Sequence, residues 1–60
     1  MSFTELFASN LDWSTETELT IFFVDVDSIY FRSGKAIDLL LKYGSCEVIS
    51  FSSHSVSVRI

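Results

Sequence analysis

A chain of 60 residues with a single cysteine, Cys46, has to hold itself together without an internal disulfide. A domain of this length buries only about 60% of the surface its unfolded chain exposes, and short folds usually compensate with disulfides, a metal or oligomerisation. One cysteine excludes an intramolecular disulfide. With His54 as the only histidine, a Cys/His metal cluster is excluded as well. Dense packing or association remains. Six Phe, two Tyr and one Trp suit either route, because each ring buries a large apolar area. There is no proline and no linker, so residues 1–60 read as one domain.

Hydrophobic periodicity predicts the elements. Ser2–Asn10 reads as a short helix, opened by a Ser2/Glu5 capping box and presenting Phe3, Leu6, Phe7 and Leu11 on one face. Asn10 would stop it in a left-handed conformation. Thr17–Val24 reads as a strand with Leu19, Ile21 and Phe23 on one side and Glu18, Thr20, Phe22 and Val24 on the other. A turn at Asp25–Ser28 leads into a second strand, Ser28–Arg32, with Ile29 and Phe31 on one face and Tyr30 on the other. Ser33 is the expected cap of a second helix over 34–43. That helix has Ala36, Ile37, Leu40 and Leu41 as its apolar stripe, an Asp38/Lys42 pair on its exposed side and Gly44 as its stop. Cys46–Ser52 and Ser55–Ile60 form a second hairpin. In its last strand Val56, Val58 and Ile60 alternate with Ser55, Ser57 and Arg59. The predicted fold is α+β, ordered α-β-β-α-β-β: a four-stranded, mostly antiparallel sheet with two short helices on one face.

Charge narrows the partners. Eight Asp/Glu against four Lys/Arg give a net charge of −4, and six of the eight acids precede the first base, Arg32. Such a chain is repelled by phosphate backbones, so no direct nucleic-acid binding is expected. An acidic side suits docking onto a basic protein surface. No apolar run reaches transmembrane length, and Met1–Glu5 lacks a signal peptide's basic region. With the free thiol, the expected setting is cytoplasmic, away from the membrane.

Four segments resemble chemistry-bearing motifs. Ile21–Ser28, an apolar strand ending in Asp25-Val26-Asp27, resembles the first motif of haloacid-dehalogenase-type phosphatases and the metal-binding strand of Y-family DNA polymerases. The resemblance implies two carboxylates near a Mg²⁺ ion and a phosphoryl-transfer fragment. Those families need many more residues for their other acids, lysines and pocket, so the competing reading is a hairpin turn. Ser52-Ser53-His54-Ser55 pairs a nucleophile type with a base type, but adjacent hairpin residues rarely reach triad geometry. Ser33-Gly34-Lys35 is similar to a phosphate-binding helix start, without the glycines of a P-loop. Cys46 reads as a small apolar residue, with Lys42 the nearest cation in sequence.

The aromatic surplus points elsewhere. Two short helices cover one side of a four-stranded sheet, so Phe22, Val24 and Tyr30 are expected on an open face unless Trp13 and the first helix cover it. Exposed apolar patches mark interfaces. The sequence therefore predicts a non-catalytic protein-interaction module with no cofactor. It would bind another protein, one with a basic surface, or a second copy of itself, through Phe22, Val24, Tyr30, Trp13, Glu16 and Glu18. The alternatives are an anti-CRISPR or other anti-defence inhibitor of a phage or mobile element using its acidic surface, the Mg²⁺-dependent fragment at Asp25 and Asp27, and stacking of RNA bases on Phe22 and Tyr30.

Overall fold

The computed structural model describes residues 1–59. They form α1 (Phe3–Ser9), β1 (Glu18–Val24), β2 (Ile29–Lys35), α2 (Ala36–Tyr43), β3 (Glu47–Phe51) and β4 (Ser55–Arg59). The sheet order is β2-β1-β4-β3. The two hairpins are antiparallel, and β1 joins β4 in parallel at the centre. This is the expected α+β architecture. Ile60, the expected end of the last strand, lies outside the described residues.

α1 starts as its sequence dictates. The Glu5 N–H donates to Ser2 Oγ (3.2 Å) and the Ser2 N–H donates to Glu5 Oε1 (2.8 Å), filling two donors that the first turn leaves without partners. The helix stops at Asn10, which is extended at φ −100°, ψ 99° rather than left-handed. Leu11 consequently falls beyond the helix, fully exposed, and the packed face is Phe3 and Leu6 with Phe7 beside them.

α2 begins two residues later than its predicted start. Ser33 is not its cap: it belongs to β2, where its hydroxyl meets Thr20 Oγ1 across the strand pair at 2.9 Å. The first-turn donors of α2 are filled from a distance, Ala36 N–H by the Thr17 carbonyl (2.8 Å) and Ile37 N–H by the Thr15 carbonyl (3.0 Å). The helix is also rotated from expectation. Ala36 and Leu39 are buried with Leu40 and Tyr43 alongside, whereas Ile37 and Leu41 face outward. Asp38 and Lys42 form no ion pair within 4 Å among the described residues.

Gly44 ends α2 in a right-handed conformation, φ −58°. Its lack of a side chain is needed for a different reason. Thr4 docks on its carbonyl through both its N–H (2.9 Å) and its Oγ1 (3.0 Å). A Cβ there would collide with Thr4 Oγ1 and stand 2.6 Å from the Leu40 carbonyl oxygen.

The core lies between the helices and one sheet face. Leu19, Ile21 and Phe23 of β1 and Val56 and Val58 of β4 meet Phe3, Leu6, Ala36 and Leu39. Trp13 closes the end of this core, its Nε1–H donating to the Ser53 carbonyl (2.8 Å) and its ring standing edge-on to Phe51 with centroids 6.3 Å apart. Among the described residues no helix is long and apolar enough to cross a membrane.

Candidate protein-interaction surface

Strand alternation puts half of the sheet residues on the side away from both helices, and pairing register identifies them. From β1 these are Glu18, Thr20, Phe22 and Val24. From β2 they are their partners Lys35, Ser33, Phe31 and Ile29. β4 contributes Ser55, Ser57 and Arg59, and β3 contributes Glu47 and Ser50. A bulge between Val48 and Ser50 adds Ile49, which lines a shallow hollow with Val24 and Arg59.

This face is divided. At the β1–β2 turn end it is apolar: Phe22 and Phe31 touch across the strand pair with ring centroids 6.0 Å apart, flanked by Val24 and Ile29. Phe31 and Ile29 are 58% and 67% exposed, large values for residues of their size. At the other end it carries the hydroxyls of Thr20, Ser33 and Ser55, and across the sheet Ser57 stands beside Phe22 and Arg59 beside Val24. Its charges cancel, since Glu18 and Glu47 are matched by Lys35 and Arg59. Arg59 Nη1 lies 3.1 Å from Glu47 Oε1, and Lys35 Nζ lies 3.4 Å from Glu16 Oε1 at the margin. The surplus of −4 belongs to the rest of the chain: Glu5, Asp12, Glu16, Asp25, Asp27 and Asp38 against Arg32 and Lys42.

Two expected surface residues are elsewhere. Tyr30 is not on the open face. The hairpin loop is two residues long, closed by a bond from the Asp25 N–H to the Ser28 carbonyl (2.9 Å), and this register sets Tyr30 opposite Phe23. Tyr30 stacks on Phe23 on the helix side (5.3 Å, 22°), while Tyr43 meets the Phe23 ring edge-on at 4.8 Å. Trp13 is buried in the core and does not cover the open face. Phe22, Val24 and Glu18 are on that face, and Glu16 stands at its margin. Phe31 and Ile29 replace Tyr30; the loop length, readable from the Asp25–Ser28 cluster, was the signal for them.

The chemistry-bearing segments take ordinary local roles. Asp25 Oδ1 accepts from the Val26 N–H (2.7 Å) within the turn. Among the described residues no three His, Cys, Asp or Glu side chains come together as a metal site. Ser52 and Ser55 hydroxyls pair with each other (2.6 Å), and Ser53 Oγ lies 3.2 Å from His54 Nδ1. No hydrogen bond among the described residues ties His54 to a carboxylate, the group that would orient it as a base. Ser33 and Gly34 are strand residues, so the resemblance to a phosphate-binding helix start does not hold. Cys46 is half-buried against the core, with its carbonyl accepting from the Phe3 N–H (3.0 Å). No family model, curated protein or solved structure matches the chain.

Proposed function

We propose that this chain is a small, non-catalytic protein-interaction module that works through the uncovered face of its sheet. The supporting observation is the contact of Phe22 with Phe31 on a side that neither helix reaches, with Val24 and Ile29 beside them. Burying one such side chain is worth roughly 1.5–3 kcal/mol. Four together supply the apolar centre that interfaces use. The face is electrically balanced, which suits an apolar partner surface better than a strongly basic one.

The test compares the native chain with a Phe22→Ser/Phe31→Ser variant. Both should keep the fold, followed by Trp13 fluorescence, because neither ring is in the core. The variant should lose whatever association the native chain shows, with itself or with a protein of its own cell extract. Association retained at full strength by the variant would overturn the reading.

A further inference from the structure

We infer that a second copy of this chain joins antiparallel along β2, about a two-fold axis at Phe31, and doubles the open face. The inference rests on the reading above and extends its surface across the seam.

β2 is an edge strand with nothing over it among the described residues. Antiparallel pairs alternate between residues that exchange hydrogen bonds and residues that do not. The Asp25–Ser28 bond fixes the phase: Tyr30 and Arg32 bond inward to β1, and Ile29, Phe31 and Ser33 direct their N–H and C=O groups outward. The Phe31 carbonyl fits this assignment, since it accepts from Arg32 Nη1 (2.9 Å) instead of from a strand. An outward row bonded by no other strand, and at Phe31 only by the neighbouring Arg32 side chain, is a template for another strand.

Side-chain chemistry selects the occupant. With Phe31 on the axis, Lys35, which bonds Glu16 at the margin of its own sheet, runs past Ile29 of the other copy towards the acidic Asp25–Ser28 turn, and the symmetry repeats that approach. Tyr30 stands opposite Arg32, both on the helix side, a favourable ring–guanidinium neighbour. Ile29 stands opposite Ser33. The row Phe22–Phe31 continues into Phe31–Phe22 of the second copy on the open side. Moving the axis to Arg32 would set two guanidinium groups against each other. Of these two registers, the one centred on Phe31 is the self-complementary one. The acidic surplus stays off the seam apart from the Asp25–Ser28 turn, which Lys35 approaches. The product is one sheet of twice the four strands, with all helices on one side.

A seam of one strand buries little area, so the association should be weak and concentration-dependent. Sedimentation equilibrium on the native chain should show a mass rising from 6.8 kDa towards twice that value with concentration. The 60-residue chain is short enough for total synthesis with N-methylphenylalanine at position 31. That change removes an outward donor and no bond within the sheet, and it should weaken the dimer more than tenfold. Phe22→Ser lies on the face but off the edge and should weaken it less than tenfold. A native chain that stays monomeric at about 1 mM overturns the second-copy assignment and leaves the reading of the open face standing, to be judged by its own variant. Dimerisation unaffected by N-methylation overturns the edge seam. If the methylated chain does not fold, a second experiment decides: in a Cys46→Ala background, Tyr30→Cys mixed with Arg32→Cys should give a disulfide-linked heterodimer on oxidation faster than either gives a homodimer. Homodimers forming as fast as the heterodimer would overturn the register.

Discussion

The sheet has two edges, and the chain finishes them differently. The β3 edge is covered over its first residues and bulged beyond them. The Val48 N–H donates to the Met1 carbonyl (2.8 Å), Ser2 forms a bridge with Glu47, and a bulge between Val48 and Ser50 bends the strand. The β2 edge has seven residues, no bulge and no covering segment among those described. Bulges and covers are the usual means of blunting an edge, and a bare, aromatic edge is a site for strand addition. The difference teaches that protection here is supplied by the N-terminal segment. That segment is held by α1, so the β3 edge is only as closed as α1 is anchored.

The strongest way to break the comparison is to release that anchor. Phe3 is 0% exposed, and its N–H is bonded to the Cys46 carbonyl. Phe3→Ala should cost about 3–5 kcal/mol, the range for deleting a buried aromatic ring. Urea unfolding followed by Trp13 fluorescence measures it, and amide exchange at Val48 should accelerate as the Met1 bond opens. A loss below about 1 kcal/mol would mean that Phe3 does not hold the edge cover. Gly44→Ala attacks the same anchor from the other side. The new methyl meets Thr4 Oγ1 and the Leu40 carbonyl, so a loss of about 1–3 kcal/mol is expected. Gly34 is the control: a Cβ there meets nothing within 4 Å, and Gly34→Ala should be neutral or stabilise by about 0.4–1 kcal/mol.

These anchors also show which parts of the fold were legible. The capping box of α1, the two-sided character of Leu19–Val24 and the alternation of β4 are local patterns, and the structure keeps all three. The start of α2 was not legible, because the carbonyls that fill its first turn come from Thr15 and Thr17, about twenty residues away in sequence. Freed from capping, Ser33 stayed in β2 and found Thr20 across the strands. The rotation of α2 was ambiguous for a related reason. Leucines at 39, 40 and 41 offer several apolar stripes, and docking chose the one through Ala36 and Leu39. An open and a covered second face were both compatible with the alternation of β1, and the strand pattern alone puts Tyr30 beside Phe22 where the structure has Phe31. Alternation within a strand is visible in sequence, whereas the phase between two strands depends on the length of the turn joining them.

The bare edge gives a smaller effect on stability and a larger one on association. Ile29→Lys places a charge on the outward row of β2, where Ile29 is already mostly exposed. Its stability should change by no more than about 0.5 kcal/mol, while self-association should disappear. Ile49→Lys, the matching change on the closed β3 edge, should leave self-association intact. Equal effects from the two lysines would show that the edges are equivalent and that the comparison fails.

The finest adjustment is by pH, through the cap that begins α1. The N–H of Ser2 and then its hydroxyl hold the Glu5 carboxylate below the ordinary glutamate range. The positive terminal amine lowers it further, and partial desolvation opposes the shift. A carboxylate whose pKa is lower in the folded state contributes stability at pH values above its unfolded pKa. That contribution is lost as pH falls through the folded value. Acidification should therefore loosen the first turn of α1 before the core responds. Since Met1 and Ser2 precede that turn, the closed edge should open with it, and the β3 edge should come to resemble β2 at low pH. Chemical shifts of the Ser2 and Val48 amides would follow the two events in one titration. Glu5→Gln keeps an acceptor for the Ser2 N–H but cannot titrate in this range, so its Val48 shift should stay flat over the same pH interval. A Val48 titration that persists in Glu5→Gln would assign the pH response to another group and uncouple the cap from the edge.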